Sequence, residues 1–274
     1  MKITPLLIAG LALTALLTTA NAILIFPDLR AAQTVATAAE VAAEIRRPAN
    51  LTATIIEPTN CPDCRFPESF LALVRQNNVN LTEERLTFTD PRSPELIASA
   101  GIERLPGLVI SGELNKNPDL AAVWSNYGTV KDNQFVFQKN QPIYEEAGSG
   151  EVRGRVKVTY LTDLACAECY DVKAHEPALA NVGIIPSSST TVDIASPEGL
   201  TLKKQYTLTA VPTIILSGDL AVYSRLLDVW PAVGSQESDG AYVFREIGVK
   251  TMGAYRNLVS GKIETPPPAP LTSP

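Results

Sequence analysis

Apolar positions along the chain fall into distinct regimes. From Leu6 to Phe26 they are nearly continuous, and no charged residue lies between Lys2 and Asp28. A run of this length matches the roughly 20 residues that cross a bilayer. Residues 29–48 are rich in Ala with Gln, Glu and Arg, lack Gly throughout and lack Pro until Pro48, and so predict a helical stalk ended by that proline. Beyond it the period changes. The runs Leu51–Ile56 and Val156–Leu161 are β-branched or apolar and predict buried strands. Between such runs, Ser93-Pro94-Glu95 and Ser196-Pro197-Glu198 predict helix starts, each a serine cap followed by a proline and an acid in the first turn. Residues 263–274 are proline-rich and predict an extended tail.

The same landmarks recur twice. Leu105-Pro106, followed by a strand and Ser111-Gly112, matches Val211-Pro212 and Ser217-Gly218; Trp124 matches Trp230; Gln134–Phe137 matches Ala241–Phe244. The offset runs only from 103 (Ser93 to Ser196) to 107 (Gln134 to Ala241), which identifies a duplication. The order in each copy is strand, helix, strand, helix, X-Pro, strand, insertion, strand, a mixed α/β pattern. The predicted division is a leader at 1–28, the stalk at 29–48, a first domain at 49–140, a linker at 141–153, a second domain at 154–262 and the tail. The linker follows from Gln141-Pro142 and Gly148-Ser149-Gly150. The second copy is expected to add a last helix over about Gly248–Ser260.

Hydrophobic residues make up 45% and charged residues 19% of the chain, so each domain buries a core. The net charge of −6 offers no field for nucleic acid. The leader implies an exported body. Ala20-Asn21-Ala22 suits signal cleavage, but the apolar run continues to Phe26, which favours an uncleaved anchor holding the body on the periplasmic or extracellular side. That compartment permits disulfides.

The four cysteines form two C-x-x-C pairs, Cys61/Cys64 and Cys166/Cys169, each directly after a predicted strand. At a strand-to-helix junction the first sulfur would meet unpaired N–H groups and the helix dipole, which stabilise a thiolate. Cys61 and Cys166 are therefore the expected attacking thiols, and Cys64 and Cys169 the resolving ones. The intervening Pro62-Asp63 and Ala167-Glu168 place an acid beside each pair. An acid there opposes thiolate formation and predicts a moderate or reducing potential. A short C-x-x-C loop constrains the unfolded chain little, so a purely structural role explains the pairs poorly.

The strand, the Asn60-Cys61-Pro62-Asp63-Cys64 or Ala165-Cys166-Ala167-Glu168-Cys169 stretch and the later X-Pro before a strand resemble the thioredoxin superfamily. Two such units in tandem resemble the two-domain protein disulfide oxidoreductases, and Leu161–Cys166 is similar to the disulfide isomerase and oxidase branch. The resemblance implies two tandem thioredoxin-like domains, cis peptide bonds at Pro106 and Pro212, and substrate docking by Leu105, Pro106, Val211 and Pro212. It also brings in Glu57 and Asp163 as candidate proton-transfer groups, since the superfamily's buried acid has no aligned equivalent here. No cofactor and no metal are implied. Expected partners are cysteine-containing exported proteins and a redox partner protein, with the membrane reached through the N-terminal helix. The alternative is a redox-inert or metal-binding adaptor that holds a partner. His175 is expected to be a surface or packing residue, and the two tryptophans are expected to serve packing.

Overall fold

A computed structural model of the chain describes residues 39–266. The expected leader, the first part of the stalk and the last eight residues lie outside them. Among the described residues no helix is long and apolar enough to cross a membrane. Residues 39–46 form α1, the end of the predicted stalk, which stops before Pro48.

The first copy opens with β1 (Ala49–Glu57), which pairs in parallel with β2 (Val79–Thr87). On its other side β1 runs antiparallel to β4 (Gly107–Gly112). Covered on both edges, β1 is the buried centre that its apolar run predicts. The helices α2 (Glu68–Arg75), α3 (Ser93–Ala100) and α4 (Pro118–Tyr127) fill the connections, and β3 (Arg104–Leu105) precedes β4. With β5 (Gly128–Lys131) and β6 (Gln134–Phe137) the sheet has the order β2-β1-β4-β6-β5. α4 is capped by Asn117, whose Oδ1 accepts from the N–H groups of Asp119 and Leu120 at 3.0 and 3.1 Å. Arg47, just past α1, pairs with Glu44 and with Glu113 in the loop after β4, and this holds the Glu113 carboxyl down to about 2. The end of the stalk is thereby tied to the first sheet.

The second copy repeats the plan: β9 (Val156–Thr162), α5 (His175–Asn181), β10 (Ser188–Asp193), α6 (Pro197–Gln205), β11 (Ala210–Val211), β12 (Thr213–Gly218), α7 (Ser224–Val229), β13 (Gly234–Gln236) and β14 (Tyr242–Phe244). Its sheet order, β10-β9-β12-β14-β13, is that of the first copy element for element. The matched Ser-Gly turns have one cause. Gly112 and Gly218 lie at φ +114° and +115°, and a Cβ would fall 2.4 Å from Asn50 O or 2.2 Å from Arg155 O.

Three expectations differ from the structure. Residues 141–153 are not a linker but carry β7 (Tyr144–Glu146) and β8 (Val152–Arg153), joined by the Gly148-Ser149-Gly150 turn and paired to β3. The helix expected over Gly248–Ser260 shrinks to α8 (Glu246–Val249); β15 (Tyr255–Asn257) and β16 (Ile263–Glu264) follow, and they pair to β11 as β7 and β8 pair to β3. Strands of two or three residues show no periodicity, which is why neither pair is visible in the pattern. Of the two expected serine caps, Ser196 accepts from Gly199 N–H at 3.0 Å, whereas Ser93 is buried and donates to Thr87 O at 2.8 Å.

Each half has its own core. In the first, Phe70 packs against Trp124, Tyr127, Phe135 and Phe137 with ring centroids 4.8–6.2 Å apart. In the second, His175 is 2% exposed and meets Phe244 edge-on at 4.6 Å. Trp124 and Trp230 are buried and donate to Leu114 O and Ser235 O at 3.1 and 3.2 Å. All three pack in the cores, as expected of the tryptophans; of the two places open to His175, surface or core, it takes the core.

Replacing Phe70 by Ala should cost about 3–5 kcal/mol in the first half, read by chemical denaturation, because four ring contacts are lost at once. His175 gives a pH dependence. Burial lowers its pKa from 6.5 to about 4, so the unfolded chain takes up the proton first as pH falls. Stability of the second half should be full above pH 6.5, decline by about 3 kcal/mol between 6.5 and 4, and level off below that. Denaturation at stepped pH, compared with His175→Gln, measures the slope, which the variant should lack.

Candidate redox sites

The register of the central strands sets both sites. Ile56 pairs with Gly107 and Leu161 with Thr213, so the X-Pro peptide just before each of those partners lies beside the loop that leaves the central strand. Both X-Pro bonds, Leu105–Pro106 and Val211–Pro212, are cis, as the resemblance implies, and all four residues are buried. The loops carry the cysteines. Cys61–Cys64 and Cys166–Cys169 are disulfides with Cα atoms 5.2 and 5.4 Å apart. In each pair the second cysteine's N–H donates to the first one's carbonyl, at 3.2 and 3.4 Å, closing a single turn.

That turn is not the start of a helix. α2 begins only at Glu68, after Pro67, and α5 at His175, after a 3-10 turn over Val172–Ala174. Pro67 bars Phe66 from helical angles, so the helix cannot reach back to Cys61. The helix dipole expected to stabilise the Cys61 and Cys166 thiolates is therefore absent from both turns. Exposure also departs from the expected roles. Cys61 and Cys166 are only 5% and 7% exposed, whereas Cys64 and Cys169 are half-buried.

Charged side chains take over the local electrostatics. Asp63, between the first cysteines, has Oδ1 3.6 Å from Cys61 Sγ. It is paired with Arg155, which enters from just before β9 at 2.7 and 3.0 Å and lowers the Asp63 pKa. The acid expected to oppose thiolate formation at this site is thus balanced by a cation from the second half. Arg65 crosses the same boundary, donating to Gly183 O and Ile185 O at 3.3 and 3.4 Å. The second pair has no such clamp among the described residues.

The two candidate proton-transfer groups part company. Glu57 is half-buried at the end of β1 and pairs with Arg85 at 3.1 Å. Asp163 is buried in the loop before Cys166, where its backbone carbonyl accepts from Cys166 N–H, Oδ1 accepts from Ala165 N–H, and Oδ2 pairs with Arg256. Tyr170, directly after Cys169, donates to Pro212 O at 2.8 Å and meets His175 Nε2 at 3.0 Å. With the tyrosine proton used on Pro212, the imidazole presents Nε2–H to the phenol oxygen. The cysteine turn, the cis proline and the core of the second half are joined through this one side chain.

Sequence reading misses Glu145, Arg155, Tyr170 and Arg256. Glu145, 1% exposed, faces Leu105 across the β3–β7 pair and accepts from the N–H groups of Thr59 (3.1 Å) and Asn60 (2.9 Å) just before Cys61. Arg256 faces Val211 across the β11–β15 pair. A signal for both did exist: Tyr144-Glu145-Glu146 and Tyr255-Arg256-Asn257 are tyrosine-led tripeptides at matching places beyond the last aligned strand. Among the described residues, no three His, Cys, Asp or Glu side chains converge as a metal site would require.

No protein-family model matches the chain, and no curated protein is similar to it. Among solved structures, it is similar to the NTD_N/C domain of the alkylhydroperoxide reductase AhpF from Enterococcus faecalis, at 19% identity and a TM-score of 0.21, over 63% of this chain and 84% of that one. It is also similar to a protein disulfide oxidoreductase from Aeropyrum pernix, at 14% identity and a TM-score of 0.17, over 65% and 80% of the two chains. Likenesses of that size carry no weight on function. The strand order, a cysteine turn leaving the central strand and a cis X-Pro bond beside it give each half the thioredoxin-like fold on its own evidence.

Proposed function

We propose that the chain is a thiol–disulfide oxidoreductase acting on cysteines of other exported proteins, with Cys61/Cys64 and Cys166/Cys169 as its two reactive pairs. The observation that carries this reading is the repeated placement of a short cysteine turn beside a buried X-Pro peptide at the end of the central strand. A purely structural crosslink has no need of that neighbour, and a three-residue separation closes too small a loop to stabilise much. In the dithiol form, a thiolate attacks a substrate disulfide and forms a mixed disulfide; the second thiolate then displaces the substrate, which leaves carrying two electrons and two protons. Cys61 and Cys166 are assigned the attack, Cys64 and Cys169 the resolution, and Leu105, Pro106, Val211 and Pro212 border the place where substrate backbone would lie.

The apolar run from Leu6 to Phe26 supports a membrane-tethered body outside the cytoplasm, where such substrates occur. The buried Glu145 before the first pair and Glu168 within the second support a reductase or isomerase over a strong oxidase. Burial of Cys61 and Cys166 is the one observation favouring the second reading, a redox-inert adaptor that uses the same fold to hold a partner.

Equilibration of the soluble body in graded thiol/disulfide buffers, followed by alkylation and mass spectrometry, should show both pairs changing state. Their potentials should lie well below that of the strong periplasmic oxidases, near about −120 mV. Cys64→Ala and Cys169→Ala should each trap mixed disulfides, and Cys61→Ala with Cys166→Ala should reduce protein-disulfide reduction to background. Pairs that stay oxidised throughout and trap nothing would establish the adaptor instead.

A further inference from the structure

The two sites stand on side chains of opposite sign. β7 and β15 occupy the same place in their halves, opposite the residue that precedes each cis proline, and there the first copy has Glu145 and the second Arg256. The loop positions three residues before each first cysteine also correspond in the two copies. In the first copy that residue is Pro58, and Glu145 bonds to the next two N–H groups; in the second it is Asp163, which pairs with Arg256. Each site holds one buried carboxylate, and at the second it is paired with the half-buried guanidinium of Arg256. The first holds a carboxylate satisfied only by N–H dipoles, and among the described residues no Lys or Arg nitrogen is paired with it. Asp63 does not alter this count, because Arg155 balances it. Arg65 does not either, because its guanidinium is turned to Gly183 O and Ile185 O.

We infer that Glu145 is a positioning residue that makes Cys61/Cys64 the more reducing pair and leaves Cys166/Cys169 the more readily reduced one. This rests on the thiol–disulfide chemistry proposed above. A buried carboxylate one residue from Cys61 repels a thiolate there and so favours the disulfide over the reactive dithiol; the Asp163–Arg256 pair presents little net charge to Cys166. Two adjacent backbone donors, Thr59 N–H and Asn60 N–H, fix the carboxylate against the chain immediately before Cys61.

The test measures each pair against glutathione, where two glutathione thiols become one glutathione disulfide as the protein disulfide takes up two electrons and two protons. The full chain is used, and the pairs are distinguished by peptide mass after alkylation. The equilibrium constant for reduction should be about tenfold smaller for Cys61–Cys64 than for Cys166–Cys169. Glu145→Gln keeps an oxygen for both N–H donors but removes the charge; it should raise the first constant severalfold and leave the second unchanged. Arg256→Gln should lower the second. Equal constants, the reverse order, or a first constant unmoved by Glu145→Gln would overturn the inference while leaving the exchange chemistry intact. Failure of both pairs to exchange would remove the functional reading itself. The wild-type comparison decides the order even where a variant fails to fold.

Discussion

The antiparallel register of the central strand with the strand that follows the cis proline is the constraint on which the rest of each half depends. Ile56 opposite Gly107, and Leu161 opposite Thr213, bring the proline beside the loop at the strand's end. A slip of one residue would turn the apolar face of β1 away from its core and carry the proline off the cysteine turn together. Fold and site are therefore set by the same hydrogen bonds. The glycines at 112 and 218 protect that register, because they let the strand end pass close to the backbone where the central strand begins in each copy.

Much of this was legible in the chain. The duplication, the central strands, the paired X-Pro bonds, the packing tryptophans and the cysteine pairs all declare themselves through local chemistry: β-branched runs, a ring-locked φ, a fixed spacing. What stayed hidden depends on contacts between distant positions. The edge strands β7, β8, β15 and β16 are too short to carry a period, so Gly148-Ser149-Gly150 reads as a linker although it is a hairpin turn. The helix start was misplaced for a local reason that could have been read, since Pro67 forbids the preceding residue from joining the helix. The balance of Asp63 by Arg155 spans the two halves, and no window of sequence contains both.

The cysteine turns thus differ from the expectation in the source of their chemistry. Helix dipoles do not reach them; discrete side chains do. The first turn is bordered by Asp63 with its partner from the second half, and Glu145 holds the two N–H groups that precede it. The second is bordered by Asp163 with Arg256, and by Tyr170 braced on His175 and Pro212 O. Side chains can be exchanged one at a time during evolution, whereas a helix dipole cannot, so the two copies are free to diverge in chemistry while keeping one topology.

That freedom has a limit at the β7 and β15 positions. An arginine at 145 would point a buried cation at the N–H donors of Thr59 and Asn60, and a glutamate at 256 would face the carboxylate of Asp163; either leaves like polarity in contact without water. Conversion of one arrangement into the other therefore requires the loop residue and the strand residue to change together. The halves share an ancestry and a strand order, yet a chimaera that exchanged only their terminal hairpins would inherit two mismatched foundations, and the copies are no longer interchangeable parts.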